Sequence, residues 1–443
     1  MFVVEKHEEV QPYREGKIGG LLQRVQVGKT RQDRIHTGEI LDSLIDKGKT
    51  TMRYDFDHVP DRRATDSVKW NRHEADVLPL WVADMDYPVP APVLQALHSR
   101  IRHGIFGYPD THPKPNAFSD LQLVLADRMQ RVYNWKVAPE EVLLLPGVIV
   151  GLNLTCHMLA TPGGGILIQT PVYPPFYLTA PNSGMILQEA ALLRRPNGGY
   201  EVDWQAFEAG FTDQTRIFIL CNPHNPVGRV FRKDELERMA EICLKRGVTI
   251  CSDEIHCDLL FTGYKHTPIA SLDQEIAQNT VTLMSPTKTF NIAGLQCSFA
   301  IVQNKELRKK LEHTTRGLVM WVNLIGLTAT LAAYREGQEW LDQVLGYLEG
   351  NRNYLFDVIQ SSLPGIKMVK PEGTYLAWLD CRNSGIPGNP CDFFLKEARL
   401  AFNDGVSFGK GGEGFVRLNF ASTRATLTQA LERMRVALEK VSG

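Results

Sequence analysis

The sequence predicts an α/β protein: a mostly parallel β-sheet covered by helices, joined to a smaller α+β unit. Three observations carry this. From Tyr54 onward, short β-rich runs recur, namely "EEVLLLPG", "GGILIQTP", "TRIFILCNP", "GVTICSDE" and "TVTLMSPTK". Between them lie helical stretches such as "RKDELERMAEICLKRG", in which Leu236, Met239, Ala240 and Cys243 follow helical spacing. Strands alternating with helices form a parallel sheet with both faces covered. After about Tyr334 the pattern changes to a long helix, strand-like pieces ("TYLAWLD", "GFVRLNF") and a closing helix. The expected organisation is therefore an N-terminal extension (1–51), a first part of the small domain (52–94, with the segment around Leu78 to Pro92), a large domain (95–334) and the rest of the small domain (335–443).

The 443 residues leave room for a large core and a second unit. With 43% hydrophobic and 22% charged residues, the composition is that of an ordinary soluble protein. No stretch approaches the roughly 20 apolar residues of a membrane span. A formal net charge of -1 gives no electrostatic reason to expect nucleic acid or an anionic membrane as partner. The eight cysteines are scattered without a CxxC pair, which argues against a disulfide framework or a zinc finger. A cytoplasmic protein is expected. Residues 1–51 are charged and polar, lack the apolar core of a secretory signal, and read as a flexible arm, an extension ahead of Met52, or a segment packing on a partner subunit.

The residues with chemical potential follow strands, and ligands of such sheets bind beyond the carboxyl ends of the strands. Lys288 follows "VTLM" among Ser285, Thr287 and Thr289. An ammonium at the end of a buried strand is costly to desolvate. A lysine with lowered pKa becomes a nucleophile that forms a Schiff base with a carbonyl cofactor, and Ser285 and Thr287 offer hydroxyls to a phosphate beside it. The plain alternative is a surface lysine in a Ser/Thr loop. In "VTICSDEIHCDLLF", Asp253 stands at a strand tip with His256 three residues on. A buried acid beneath an aromatic nitrogen keeps it protonated and makes the ring an electron sink; the alternative is a helix N-cap. "ILCNPHNPVGRVF" makes a rigid turn from which Asn225 can reach a cleft. "LLLPGVIVGLNL" is a strand, a turn and a helix beginning near Val148, whose first amides form a weakly diagnostic anion site. Tyr173, in "QTPVYPPFY", offers an aromatic face. Arg417, in "FVRLNFA", presents a guanidinium fork suited to a carboxylate, either of a ligand or of a structural salt bridge. Gly409, Gly411 and Gly414 match a dinucleotide fingerprint literally, but a strand follows where a helix is required, so this is a loop.

The order of these signals resembles the aspartate-aminotransferase-like, fold type I, pyridoxal-phosphate enzymes, whose large domain carries a mostly parallel seven-stranded sheet. More narrowly, "YDFDHVPDRRATDSVKWN", "LPLWVADMDYPVPAPV", "HGIFGY", "CNPHNPVG", "SDEIHCDL", "SPTKTFNIAGLQ", "TYLAWLD" and "GEGFVRLNFA" resemble the MalY/PatB group of cystathionine β-lyases, from about Tyr54 to the C-terminus. The resemblance implies that Lys288 binds pyridoxal 5'-phosphate covalently and then acts as the mobile base. It implies that Asp253 pairs with the pyridine nitrogen, and that Asn225 and His256 serve the phenolic oxygen. Tyr173 would stack on the ring. The amides of Val148 and Ile149, with Ser285 and Thr287, would hold the phosphate, joined by Tyr108 of a neighbouring subunit in a homodimer with shared active sites. Arg417 would clamp the substrate carboxylate under the loop around Ala83. Many members of the wider superfamily carry an arginine eight residues after the lysine; here that position is Gln296.

On this resemblance Lys288 would remove the substrate Cα proton; a thiolate at Cβ would then leave, ending in pyruvate and ammonia, or the proton would return to the cofactor and an amino group would be transferred. Both outcomes use every residue named, so the choice of a β-lyase over an aminotransferase, or over a protein with an added regulatory interaction, rests on the resemblance. In "RGLVMWVNLIG", Met320 and Trp321 would line the substrate entrance or pack in the core; helical spacing of Leu318, Trp321, Leu324 and Ile325 favours the core.

Overall fold

Strand formation follows the apolar runs. The computed structural model describes residues 52–111, 115–319 and 321–442, so the expectations for residues 1–51 and for Met320 lie outside the described residues. Seven strands form the central sheet: β1 (Val142–Leu145), β2 (Gly165–Thr170), β3 (Ile186–Ala191), β4 (Thr215–Cys221), β5 (Thr249–Asp253), β6 (Thr280–Met284) and β7 (Ser298–Ile301). Their spatial order is β1-β7-β6-β5-β4-β2-β3. All neighbours run parallel except β7, which is antiparallel to both β1 and β6. Every residue of β2 and β6 is buried, as unbroken apolar strands covered on both faces require. The helix Lys233–Lys245 covers one face with Leu236, Met239, Ala240 and Cys243, all buried.

Register decides where the site forms. Cys221 of β4 pairs with Asp253 of β5, and Asp253 with Leu283 of β6. The three central strands therefore finish level, and the segments that follow them open onto one edge of the sheet.

A second, antiparallel sheet contains β8 (Lys367–Met368), β9 (Leu376–Asp380), β10 (Asn403–Asp404) and β11 (Phe415–Asn419), in the order β8-β9-β11-β10. The short strand Leu78–Pro79 pairs in parallel with Leu400–Ala401, so the segment near Leu78 joins C-terminal residues. The 25-residue helix Gln338–Ser362 buries Trp340, Val344, Leu348, Leu355 and Ile359. Phe56 packs edge-on against Trp340 and Tyr87 edge-on against Tyr347, with ring centroids 6.0 and 5.5 Å apart.

The core assignment of Leu318 and Trp321 needs correction. Leu318 is 72% exposed and Trp321 is 37% exposed. The helix Lys305–Thr315 ends before Gly317, which has φ +77°, and the next helix, Leu324–Glu336, starts at its Asn323 cap. The four residues share no helix, so helical spacing does not put them on a common face.

The Leu324–Glu336 helix lies against the segment that follows Lys288. Asn323 Nδ2 donates to Leu295 O at 2.7 Å, and a Cβ on Gly326 would run into that same carbonyl oxygen. Gly326→Ala ordinarily gains about 1 kcal/mol of helix propensity. Here backbone overlap costs about 1–3 kcal/mol, so urea or thermal denaturation is expected to show net destabilisation.

Candidate active site

The site is assembled from strand ends. β5 ends at Asp253, which is 5% exposed and whose Oδ1 accepts from Ile255 N at 3.1 Å. No helix follows, so the aspartate is not a helix cap. Burial pushes its carboxyl up to about 7, with Glu254 adding to the rise and the Ile255 amide and Lys288 opposing it.

β6 runs into Ser285, the N-cap of the one-turn helix Pro286–Thr289. Ser285 Oγ accepts from Thr287 N at 3.2 Å and donates to Cys297 O at 3.0 Å. Proline at the first helical position suits this start. The turn presents Lys288, whose Nζ donates to Ala83 O at 2.6 Å; Tyr375 Oη donates to the same oxygen at 2.9 Å. Lys288 is pushed down to about 8, first by burial and then by the Arg417 charge, against the pull of Asp84 and Asp253.

Arg417, 3% exposed in β11, points into the same volume. Its Nη1 donates to Asn225 Oδ1 at 3.1 Å, and its Nη2 to Trp81 O at 2.9 Å and Asn403 Oδ1 at 2.5 Å. Each acceptor is neutral. Among the described residues no carboxylate pairs with this guanidinium, so the structural salt bridge is not the role the fold gives it. Burial pushes it down to about 10, with Tyr173 and Tyr375 opposing. A buried cation held by neutral acceptors is well placed to receive a carboxylate from outside.

Asn225 extends from a turn closed by His224 N donating to Arg229 O at 2.7 Å and Gly228 N to His224 O at 2.8 Å. His256 is 3% exposed, with the Tyr375 ring edge-on at 6.1 Å. Burial, then Lys288 and Arg417, push it down to about 3, so the imidazole is neutral. Tyr173 is half-buried beside Phe176 and interacts electrostatically with Arg417 and Asp253. Val148 and Ile149 open the helix Val148–Leu159, where first-turn amides have no partner within the helix. Tyr108 stands apart: it is 87% exposed and meets Trp321 edge-on at 5.1 Å.

The side chains that hold Ala83 in place are not among the expected site residues. Asp86 and Asp84 flank the loop from the Asp side, and two cations meet them. Arg62 donates to Asp84 Oδ2 at 2.7 Å and Asp86 Oδ1 at 2.8 Å, and Lys69 reaches Asp86 Oδ2 at 3.0 Å. Asn291 binds Met85 N, Met85 O and Tyr87 O, and Asn419 donates to Val82 O and Asp84 O. The acidic alternation in "VADMD" and the basic residues of "DRRATDSVKW" were the available clue. A separate cleft of about 640 Å³ is lined by Arg194, Arg229, Lys265, Lys370, Trp378 and Phe415 and holds none of the expected site residues. Two of its arginines are already paired, Arg194 with Asp380 and Arg229 with Glu235.

Residues 75–434 match the family described as Aminotransferase class I and II, and the chain belongs to that family. Its fold is aspartate-aminotransferase-like, fold type I. The chain is 39% identical over 393 residues to cystathionine beta-lyase PatB of Bacillus subtilis, covering 86% of this chain and 99% of PatB. It is 30% identical to the protein MalY of Escherichia coli, covering 88% and 100%. The crystal structure of a pyridoxal-phosphate-bound C–S lyase from Staphylococcus hominis superposes with a TM-score of 0.80 at 31% identity, covering 87% of this chain and 99% of that one.

The residues present fit pyridoxal phosphate. His256 Nδ1 and Arg417 Nε are buried without a hydrogen-bond partner, beside an acid and a lysine whose ordinary charges burial disfavours. Such unsatisfied groups are costly unless a polar ligand completes them.

The loop clamp sets a testable cost. Burial raises the Asp86 carboxyl, but Lys69, Trp70 and Arg62 outweigh it and hold the group below the usual carboxylate range. Asp86→Asn leaves Lys69 without its closest carboxylate, and about 3 kcal/mol of stability is expected to be lost at neutral pH. A depressed carboxylate stabilises the fold above its unfolded pKa and loses that contribution as pH falls through the folded one. The gap between wild type and variant should therefore narrow in acid, as measured by urea denaturation across pH.

Proposed function

We propose that this protein is a pyridoxal-phosphate-dependent carbon–sulfur β-lyase that converts L-cystathionine or a related cysteine S-conjugate to a thiol, pyruvate and ammonia. One observation carries the reading: a lysine with a depressed pKa lies within electrostatic reach both of a buried arginine that has no carboxylate partner among the described residues and of a buried aspartate at the strand tip. The relatives named as cystathionine β-lyase and C–S lyase support the lyase outcome.

When bound, the cofactor supplies a carbonyl for Schiff-base chemistry and a ring that withdraws electrons from the substrate Cα. Lys288 would hold it covalently, and Asp253 would share its proton with the ring nitrogen. Asn225 has its Oδ1 committed to Arg417, which leaves its amide hydrogens for the phenolic oxygen, with His256 alongside. Tyr173 would lie against the ring. The amides of Val148 and Ile149 would hold the phosphate with Thr287 and Ser285, although the Ser285 hydroxyl is also engaged in capping the lysine's turn. Gln296 is exposed and adds no charge there.

Arg417 would take the substrate carboxylate in its fork, which aligns the Cα proton toward Lys288. Released as a neutral amine, Lys288 accepts that proton at Nζ, with Ala83 O to orient the N–H. Tyr375 is raised far above its ordinary pKa by burial, then by Asp84, and so remains a hydroxyl donor that keeps Ala83 O in place. A homodimer is part of this reading. Ile101, Ile105, Phe106, Tyr108, Leu318 and Trp321 form exposed apolar surface in the single chain. A second copy over it would bring Tyr108 to its neighbour's phosphate site.

Cystathionine should yield pyruvate and thiol in equal amounts; an amino acid appearing from an added keto acid instead would make the protein an aminotransferase. Arg417→Lys, which loses the bidentate fork, is expected to lower kcat/KM about 10²-fold, chiefly through KM, equivalent to roughly 3 kcal/mol. Because the neutral amine is the nucleophile, the rate at which cofactor-free protein binds pyridoxal phosphate covalently should rise with pH through a midpoint near 8, where an ordinary lysine would require about 10.5. Borohydride trapping measures this rate, and Lys288→Ala should abolish it.

A further inference from the structure

The turn that carries Lys288 is too short to hold its own shape. It has four residues, and the first hydrogen-bonded turn of a helix is the unfavourable step of helix formation. Ser285 secures its start. Its other end is secured from beneath: Thr289, fully buried, donates its Oγ1 to Asp258 Oδ2 at 3.0 Å. Asp258 Oδ1 accepts from Arg128 Nη2 at 2.6 Å and from Tyr133 Oη at 3.2 Å. The Arg128 and Asp258 side chains are 6% and 4% exposed, and Arg128 also lies 5.2 Å from the centroid of the Tyr334 ring. Arg128 and Tyr133 belong to the helix Ala117–Tyr133, so this helix and the lysine's turn, two segments far apart in the chain, converge on one carboxylate.

Asp258 belongs to the stretch that delivers Asp253 and His256 to the reacting side. One connection thus supplies two of the site residues and also binds the lysine's turn. We propose that Asp258 and Thr289 are positioning residues for Lys288: the carboxylate, fixed by Arg128 and Tyr133, sets where the lysine nitrogen stands relative to the cofactor carbonyl and the substrate Cα. This rests on the function proposed above. A side chain offset of about 1 Å at a reacting group lowers rates on the order of 10²-fold, so the smaller displacement expected from losing one hydroxyl contact should lower them less.

Thr289→Val preserves shape and removes the donor, while Thr289→Ser restores it. In pyridoxal-phosphate-loaded protein, Thr289→Val is expected to shift the pH midpoint of the cofactor's visible absorption band and to lower kcat about tenfold with KM within about twofold. Thr289→Ser should match wild type in both. A lower melting temperature with an unchanged pH midpoint and unchanged kcat would show that the contact is merely structural and overturn the inference; so would a Thr289→Ser variant as impaired as Thr289→Val. Should Thr289→Val not fold, Tyr133→Phe takes one donor from Asp258 and is judged by the same shifts. If wild type forms no visible band with pyridoxal phosphate, the functional reading itself fails. A normal wild-type band with an unmoved variant titration defeats the positioning role alone.

Discussion

A half-buried lysine and a buried arginine meet at the carboxyl end of the central sheet, and the site is organised around the cost of keeping both charges there. Arg417 lowers the pKa of Lys288, and burial lowers both. Among the described residues neither forms an ion pair with a carboxylate: Lys288 leans on a carbonyl oxygen, and Arg417 on two amides and a carbonyl. Such an arrangement is poor for stability and good for binding, because an incoming carboxylate and a covalent imine each relieve one of the two charges. The level ends of β4, β5 and β6 make the crowding possible by releasing their following segments into one volume.

The compensating charges are set back by one layer. Asp84 and Asp86 neutralise Arg62 and Lys69 beneath the loop, and Asp258 neutralises Arg128 beneath the lysine's turn. Paired charges therefore fix the backbone, while the less compensated ones face the ligand. This division lets the loop around Ala83 be rigid without filling the site with competing carboxylates.

Much of this was legible in the sequence. The central strands are unbroken apolar runs, and Asp253 ends one while Asn225 and Lys288 come a few residues after two others, so the strand-end rule pointed to these three; Arg417 stood out instead as an arginine within an apolar strand of the second sheet. Tyr108 read as a site residue through family resemblance, and within one chain it lies on the surface. The clamps were not legible because their partners are remote: Asn291 and Met85 are 206 residues apart, and Asn419 and Val82 are 337 apart. Thr289 was hidden among hydroxyl residues that read as phosphate donors, one of which, Ser285, caps a helix. The error at Leu318 and Trp321 came from extending helical spacing across Gly317 and an Asn323 cap.

The reversed direction of β7 has a consequence for how the site tolerates change. A parallel crossover carries the chain back to the opposite end of the strands before the next strand begins, but β7 enters beside β6 from the same end. The whole return between Ser285 and Cys297 stays above the strand tips, and it carries Lys288 and Asn291 together. Its length is bounded by two fixed strands, yet it contributes little to their pairing. One residue gained or lost there would leave the strand pairing intact while rotating the lysine away from its partners and shifting Phe290 and Ile292, the buried side chains of the same return. The loop length is thus a setting of the chemistry rather than of the fold, and faults in it would appear as well-folded, silent protein.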